Sequence, residues 1–365
     1  MVRPLSFALA VASGCGSGWT EETADGLRHL SQDFTSTSSG TVRFDVPVEE
    51  GEDALLLTAR VDSPLRTHVR SFADPDDALL FEATEFNDSP YSKTNAGFIA
   101  ETVTLNWPIL GEDSDLVDGR YTVELGIVDE DKQFAEGSVS VDVFLKSDTA
   151  FDDGALDVAI VYTADLDDDD DIREAVEDAK VIWADLYDSM GIEVAFEGFT
   201  VDAAELHPPA LGTETAYIAI DETTPLRAVN LVLSPEILDF PSVFGIAGDI
   251  PGPLVATERS AVQISTSLAS GVDGRFTEEE VRLFSETMAH EVGHYLGLFH
   301  PVELSYDAWD VIDDTPECDS QGQCENQLGD NLMFPYPICS VFSCTAQTEI
   351  TDHQAEVAGR YTAVE

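Results

Sequence analysis

His290 and His294 stand four residues apart, a spacing that puts both side chains on one face of a helix. Imidazoles so placed are pre-aligned to share a metal ion, and Glu291 between them can reach a water at that ion without becoming a ligand. Three residues past His294 comes Gly297, and a helix stops readily where one residue takes the left-handed backbone that glycine adopts without strain. The bend lets His300 approach from a new direction. Three imidazoles at about 2.0 to 2.1 Å leave a fourth position for water, the mark of a catalytic metal site rather than a structural one. Three of the chain's 7 histidines fall in this one string, so chance explains it poorly. His29, His68, His207 and His353 have no ligand spacing and carry no assignment.

A helix must carry the first two histidines, and its start is well marked. Thr277-Glu278-Glu279-Glu280 reads as a capping box whose carboxylates favour the positive end of the helix dipole. Val281, Phe284, Met288 and Val292 then recur at helical spacing and should face a core. Upstream the rhythm alternates strand and helix: strands over residues 156–162 and 192–201, a helix over 172–190, and further strands over 229–233 and 261–266. Residues 243–248 suit a short edge strand, with Pro and Gly around it. The run Asp167 to Asp171 reads as an acidic cap and dipole complement for the 172–190 helix, with calcium as the competing reading.

Earlier in the chain, from about residue 36 to 145, short runs alternate with period two between turn residues, which means strands. Residues 121–128, followed by Asp129-Glu130-Asp131-Lys132, and residues 138–145 read as a hairpin closing an antiparallel β-sandwich. The expected class is α+β: a sandwich over residues 36–148, then a catalytic domain over 155–365 with a mixed twisted sheet, an active-site helix and a disulfide-bearing C-terminal subdomain.

Composition sets the limits around this plan. At 365 residues and 43% hydrophobic, the chain can fill two cores. Its 72 acidic against 17 basic side chains give a formal charge of -55, which argues against a nucleic-acid partner and suits either a salt-rich medium or bound divalent cations. No stretch reaches the roughly 18 to 20 apolar residues of a membrane span. The N-terminus reads differently. Met1-Val2-Arg3 precedes an apolar segment, and Ala12-Ser13-Gly14-Cys15 resembles a bacterial lipobox. Residues 1–15 are therefore expected to be a signal segment and residues 16–35 a linker, with Cys15 a lipidation site on an outer cell surface or, as the alternative, the chain simply secreted. Cys318, Cys324, Cys339 and Cys344 remain, an even set that points to two disulfides and an oxidising compartment. Three pairings are open, and a second zinc site is disfavoured because these spacings are wider than usual for zinc.

The string from His290 to His300 matches HExxHxxGxxH at every required position and resembles the signature of the metzincin metalloproteases. Within them it looks pappalysin-like, on Gly297-Leu298-Phe299-His300, on the segment Asp310-Val311-Ile312-Asp313-Asp314-Thr315-Pro316, and on Asn331-Leu332-Met333 as a Met-turn. The resemblance implies that His290, His294 and His300 bind zinc, that Glu291 is the general base, and that Met333 lies beneath the metal. Tyr336 is a candidate oxyanion stabiliser, although it stands three residues after the Met where the family has Tyr at two. Asp313, Asp314 and Thr315 resemble a calcium loop, with a turn built by Asp and Pro as the alternative.

The implied activity is that of a zinc endopeptidase. Zinc lowers the pKa of a water to near 7, and Glu291 takes its proton and hands it to the leaving amine. An extended substrate would pair with the strand near residues 243–248, and so acidic a chain suggests a taste for basic side chains. Protein or peptide is the expected partner, the membrane is reached only through the lipid, and the chain is expected to be a monomer. The competing reading is a surface-binding lipoprotein with an inactive protease domain, which would have no need of Glu291.

Overall fold

The computed structural model describes residues 18–24, 26–83, 93–147, 151, 154–201, 206, 210–213, 216–217, 224–270, 275–312, 314–339 and 343–365. Cys15, His207 and Asp313 lie outside them, as does the expected signal segment.

The first half is built of antiparallel strands: β1 (Thr20–Ala24), β2 (Leu27–Thr35), β3 (Thr41–Val48), β4 (Ala54–Arg60), β5 (Arg66–Ala73), β6 (Leu79–Glu82), β7 (Thr102–Trp107), β8 (Gly119–Val128) and β9 (Ser138–Lys146). They form two sheets, ordered β1-β2-β9-β4-β7 and β3-β8-β5-β6. On β3, residues Val42, Phe44 and Val46 are buried and alternate with exposed Arg43 and Asp45, so one face of that strand meets the core. In β4 six successive residues from Ala54 to Ala59 are buried, as befits a strand flanked by β9 and β7. Side chains from both sheets enter one hydrophobic cluster, with Phe72, Trp107, Tyr121 and Phe144 among the largest.

Two expectations need correction here. Residues 20–24 and 27–35, read as linker, are strands, because Leu27 and Leu30 have an apolar face to bury and β2 pairs along β9 from Arg28–Leu145 to Thr35–Ser138. The segments 121–128 and 138–145 are strands but not a hairpin. β8 pairs with β3 and β5, whereas β9 pairs with β2 and β4 in the other sheet. Period two tells which face of a strand is buried, not which strand lies beside it, and the loop between them is long enough to change sheets.

The second half carries a sheet ordered β11-β10-β13-β16-β15. Its members are β10 (Gly154–Tyr162), β11 (Ile192–Thr200), β13 (Val229–Ser234), β15 (Gly245–Ala247) and β16 (Val262–Ser265). All neighbouring pairs are parallel except β15 with β16, which puts a short antiparallel strand on the edge. β12 (Ala210–Leu211) and β14 (Glu236–Ile237) make a separate small parallel pair. Helix α1 (Asp170–Asp188) begins with Asp169 as its cap, whose side chain accepts the amides of Asp171 and Ile172, so the acidic run does cap a helix. After the single turn α2 (Thr266–Ala269) comes α3 (Glu278–Tyr295), and its Thr277–Glu280 capping box is present in full. Tyr187 donates its hydroxyl to Ala289 O at 2.8 Å and Ser285 donates to Ala179 O at 2.8 Å, locking α1 to α3. Helices α4 (Gln321–Leu328) and α5 (Asp352–Gly359) follow.

The two halves are tied by buried polar contacts. Asn106 accepts both the amide (3.0 Å) and the hydroxyl (2.8 Å) of Thr362 and donates to Arg360 O at 2.9 Å. Asn95 donates its amide to Ile250 O at 2.9 Å and its side chain to Asp249 at 3.2 Å, bracing the loop between β15 and β16. The cysteines pair Cys318 with Cys324 and Cys339 with Cys344. No helix among the described residues is long and apolar enough to cross a membrane.

Candidate metal centre

Helix α3 presents His290 and His294 one turn apart, then ends at Leu296. Gly297 follows with φ +112, the left-handed backbone expected there, and Leu298 N closes the turn on Gly293 O at 3.0 Å. The bend brings His300 back, so the three ring centroids lie 4.6 to 5.3 Å apart. One nitrogen from each of His290, His294 and His300 falls within 4.8 Å of the others, and this is the one such ligand group found among the described residues.

The other ring nitrogens decide how these rings are held. His290 Nδ1 lies 2.7 Å from Leu332 O, and His294 Nδ1 lies 2.6 Å from Leu298 O. A carbonyl oxygen can only accept, so both Nδ1 atoms carry the proton and both Nε2 atoms are bare acceptors. His300 Nδ1 sits 3.3 Å from Glu303 Oε2. His294 Nε2 and His300 Nε2 are only 3.1 Å apart, a close approach of basic atoms that a shared cation relieves. Three imidazoles, each oriented by an oxygen on its far side, form a donor set that fits zinc.

The electrostatics favour the same protonation states. Burial, aided by His300, drives His290 down to about 3. Burial, then His300 and His290, holds His294 well below its ordinary value. Glu291 is pushed up to about 8 by burial, against the opposing pull of the Ala247 amide that it accepts. A carboxyl with a raised pKa holds a proton more readily than an exposed one, as a proton shuttle requires.

Met333 is fully buried, and a Cβ built on Gly293 would stand 2.7 Å from its Sδ, so the methionine packs against the helix between the two histidines. The same turn supplies the Leu332 carbonyl, and Asn331 Oδ1 fixes it by accepting the Met333 amide at 2.8 Å. A cleft of about 520 Å³ opens over the site, lined by β15, by α3 and by Phe334, Pro335 and Tyr336. The Tyr336 hydroxyl lies 2.7 Å from that of Tyr306 and donates to Glu325 at 3.0 Å, so its partners here are not the imidazoles. Asp314 accepts the hydroxyl of Thr351, the cap of α5.

Sequence reasoning passed over Glu303, although its position three residues after His300 was a readable signal. It had no means of finding the Leu298 and Leu332 carbonyls. Tyr217, buried and raised in pKa by that burial and by the nearby Glu291, was equally hidden.

No family model matches this chain, and no curated protein matches it. Among solved structures, metalloproteinase-II from Bacteroides fragilis is 15% identical over 49% of this chain, with a TM-score of 0.27, and the match spans 60% of that protein's length. Myroilysin is 11% identical over 56% of this chain and 92% of its own, with a TM-score of 0.26. Each likeness is partial, and the functional reading rests on the site itself.

Proposed function

We propose that this chain is a zinc-dependent endopeptidase of pappalysin-like metzincin type, with residues 155–365 as its catalytic unit and the paired sheets before it as a non-catalytic module. The observation that carries this reading is the convergence of one ring nitrogen from each of His290, His294 and His300 beside Glu291, in a cleft bordered by a sheet edge. His290, His294 and His300 would hold the metal, and a metal there supplies Lewis acidity that acidifies water and polarises a carbonyl.

The protein's own groups do the rest. On β15, Phe244 O accepts from Ser265 N and Gly248 N donates to Ala261 O, so residues of that parity face β16. Gly245 and Ala247 therefore turn toward the open edge, where an extended peptide adds as a further strand on the Gly245 amide and the two carbonyls while Glu291 holds the Ala247 amide. Glu291, beside that edge, takes a proton from water and returns it to the departing amine. The apolar cleft around it excludes bulk water and strengthens each charge interaction. Two disulfides fit an oxidising compartment, so we place the protein outside the cytoplasm, anchored through Cys15.

The test compares cleavage of an unbiased peptide library by wild type and Glu291→Ala, with zinc measured in both. Cleavage lost in the variant while zinc is retained supports the reading. A wild type that carries full zinc and cleaves nothing overturns it in favour of a binding protein with a silent protease unit.

A further inference from the structure

We propose that Gly245 is a positioning residue for Glu291: having no Cβ, it lets the base lie against the open edge of β15 at the register where a substrate strand pairs. This rests on the endopeptidase reading for its meaning, though not for its geometry. A Cβ built on Gly245 would stand 2.6 Å from Glu291 Cγ, closer than real Cβ contacts come, and 3.1 Å from Cδ, so the Glu291 side chain would have to shift. Its backbone is not in the left-handed region, so nothing in the chain's path demands glycine there. The requirement is steric. Glycine inside a strand commonly marks the close approach of another group, and here that group is the base.

Neighbouring contacts fix the same arrangement from both sides. Glu291 accepts the Ala247 amide, one of the two that face the open edge. Directly opposite on β16, Ile264 Cδ1 would lie 2.8 Å from the added carbon, so a shift of the strand toward β16 is obstructed as well. An alanine at 245 must then push Glu291 outward, away from the peptide that pairs with Gly245 and Ala247. Displacing a catalytic group by about 1 Å costs on the order of 100-fold in rate while leaving binding largely intact.

The experiment uses the full chain and builds Gly245→Ala in wild-type and Glu291→Ala backgrounds, repeating each with Ile264→Val to remove the second obstruction and secure folding. Chemical unfolding is read for every variant, zinc content by atomic absorption, and kcat and KM with a quenched fluorescent peptide. The expected result is a stability loss from Gly245→Ala that is clearly smaller once Glu291 is alanine. With Glu291 present, kcat should fall about 100-fold, with KM within about threefold and zinc unchanged. Equal stability losses in the two backgrounds overturn the proposal, as does a raised KM with intact kcat. Should wild type bind zinc but cleave nothing, the endopeptidase reading fails, and the unfolding comparison alone decides whether Gly245 makes room for Glu291.

Discussion

With a metal held by His290, His294 and His300 as proposed, replacing Glu303 should loosen it by weakening the least secured of the three rings. His290 and His294 are oriented by backbone carbonyls at 2.7 and 2.6 Å, which no substitution removes. His300 depends on one side-chain oxygen at 3.3 Å, and 22% of its side chain is exposed against 38% for Glu303. Carboxylates behind a ligating imidazole are worth 10- to 100-fold in metal affinity. The long distance and the exposure place this one at the lower end, since solvent screens part of the interaction. Glu303→Ala should therefore raise the zinc dissociation constant about tenfold, equivalent to about 1.4 kcal/mol, and Glu303→Gln, which keeps an acceptor, should do less. Competition against a chromophoric chelator measures this directly, with the unfolding midpoint of metal-free protein as the control. A dissociation constant unchanged within twofold in Glu303→Ala, with the fold intact, would refute the idea that Glu303 orients His300.

Further outcomes follow from groups away from the metal. His68 is buried beside Arg70 and stays neutral down to about 4 instead of the ordinary 6.5. Because the folded pKa is the lower one, the stability tied to this ring is complete above 6.5, erodes as pH falls, and has cost about 3 kcal/mol by pH 4. Urea unfolding of wild type and His68→Phe across that window should diverge accordingly, and parallel curves would contradict it. Thr277→Ala removes the cap of α3 and should cost about 1 kcal/mol, read as a lowered urea midpoint with an unchanged slope. Asn106→Ala strands buried groups at Thr362 and Arg360 at about 1 to 3 kcal/mol each, so hydrogen exchange in residues 360–365 should accelerate.

What the sequence made legible was local. The spacing His290–His294–His300, the glycine at 297 and the capping box at Thr277 each depend on a few neighbouring residues, and each stands where expected. The short strand at 245–247 was found because Pro and Gly mark an edge. Strand partners were not legible, since β8 and β9 carry similar alternation yet join different sheets. Residues 20–35, assigned to a linker, are strands, and the β9 partner of β2 lies more than 100 residues away along the chain. Cysteine pairing was undetermined by counting, and it resolves into two short loops only once α4 places Cys324 beside Cys318. The groups that tune the site, Leu298 O, Leu332 O and Gly245, act through backbone or through a missing atom, and side-chain pattern does not report either.

The arrangement of the three imidazoles is tested most directly by X-ray absorption at the zinc edge of the full-length protein. The account predicts a first shell containing three nitrogen scatterers of imidazole type at about 2.0 to 2.1 Å, falling to two in His300→Ala. A sulfur shell near 2.3 Å, or a wild-type spectrum that His300→Ala leaves untouched, would contradict it.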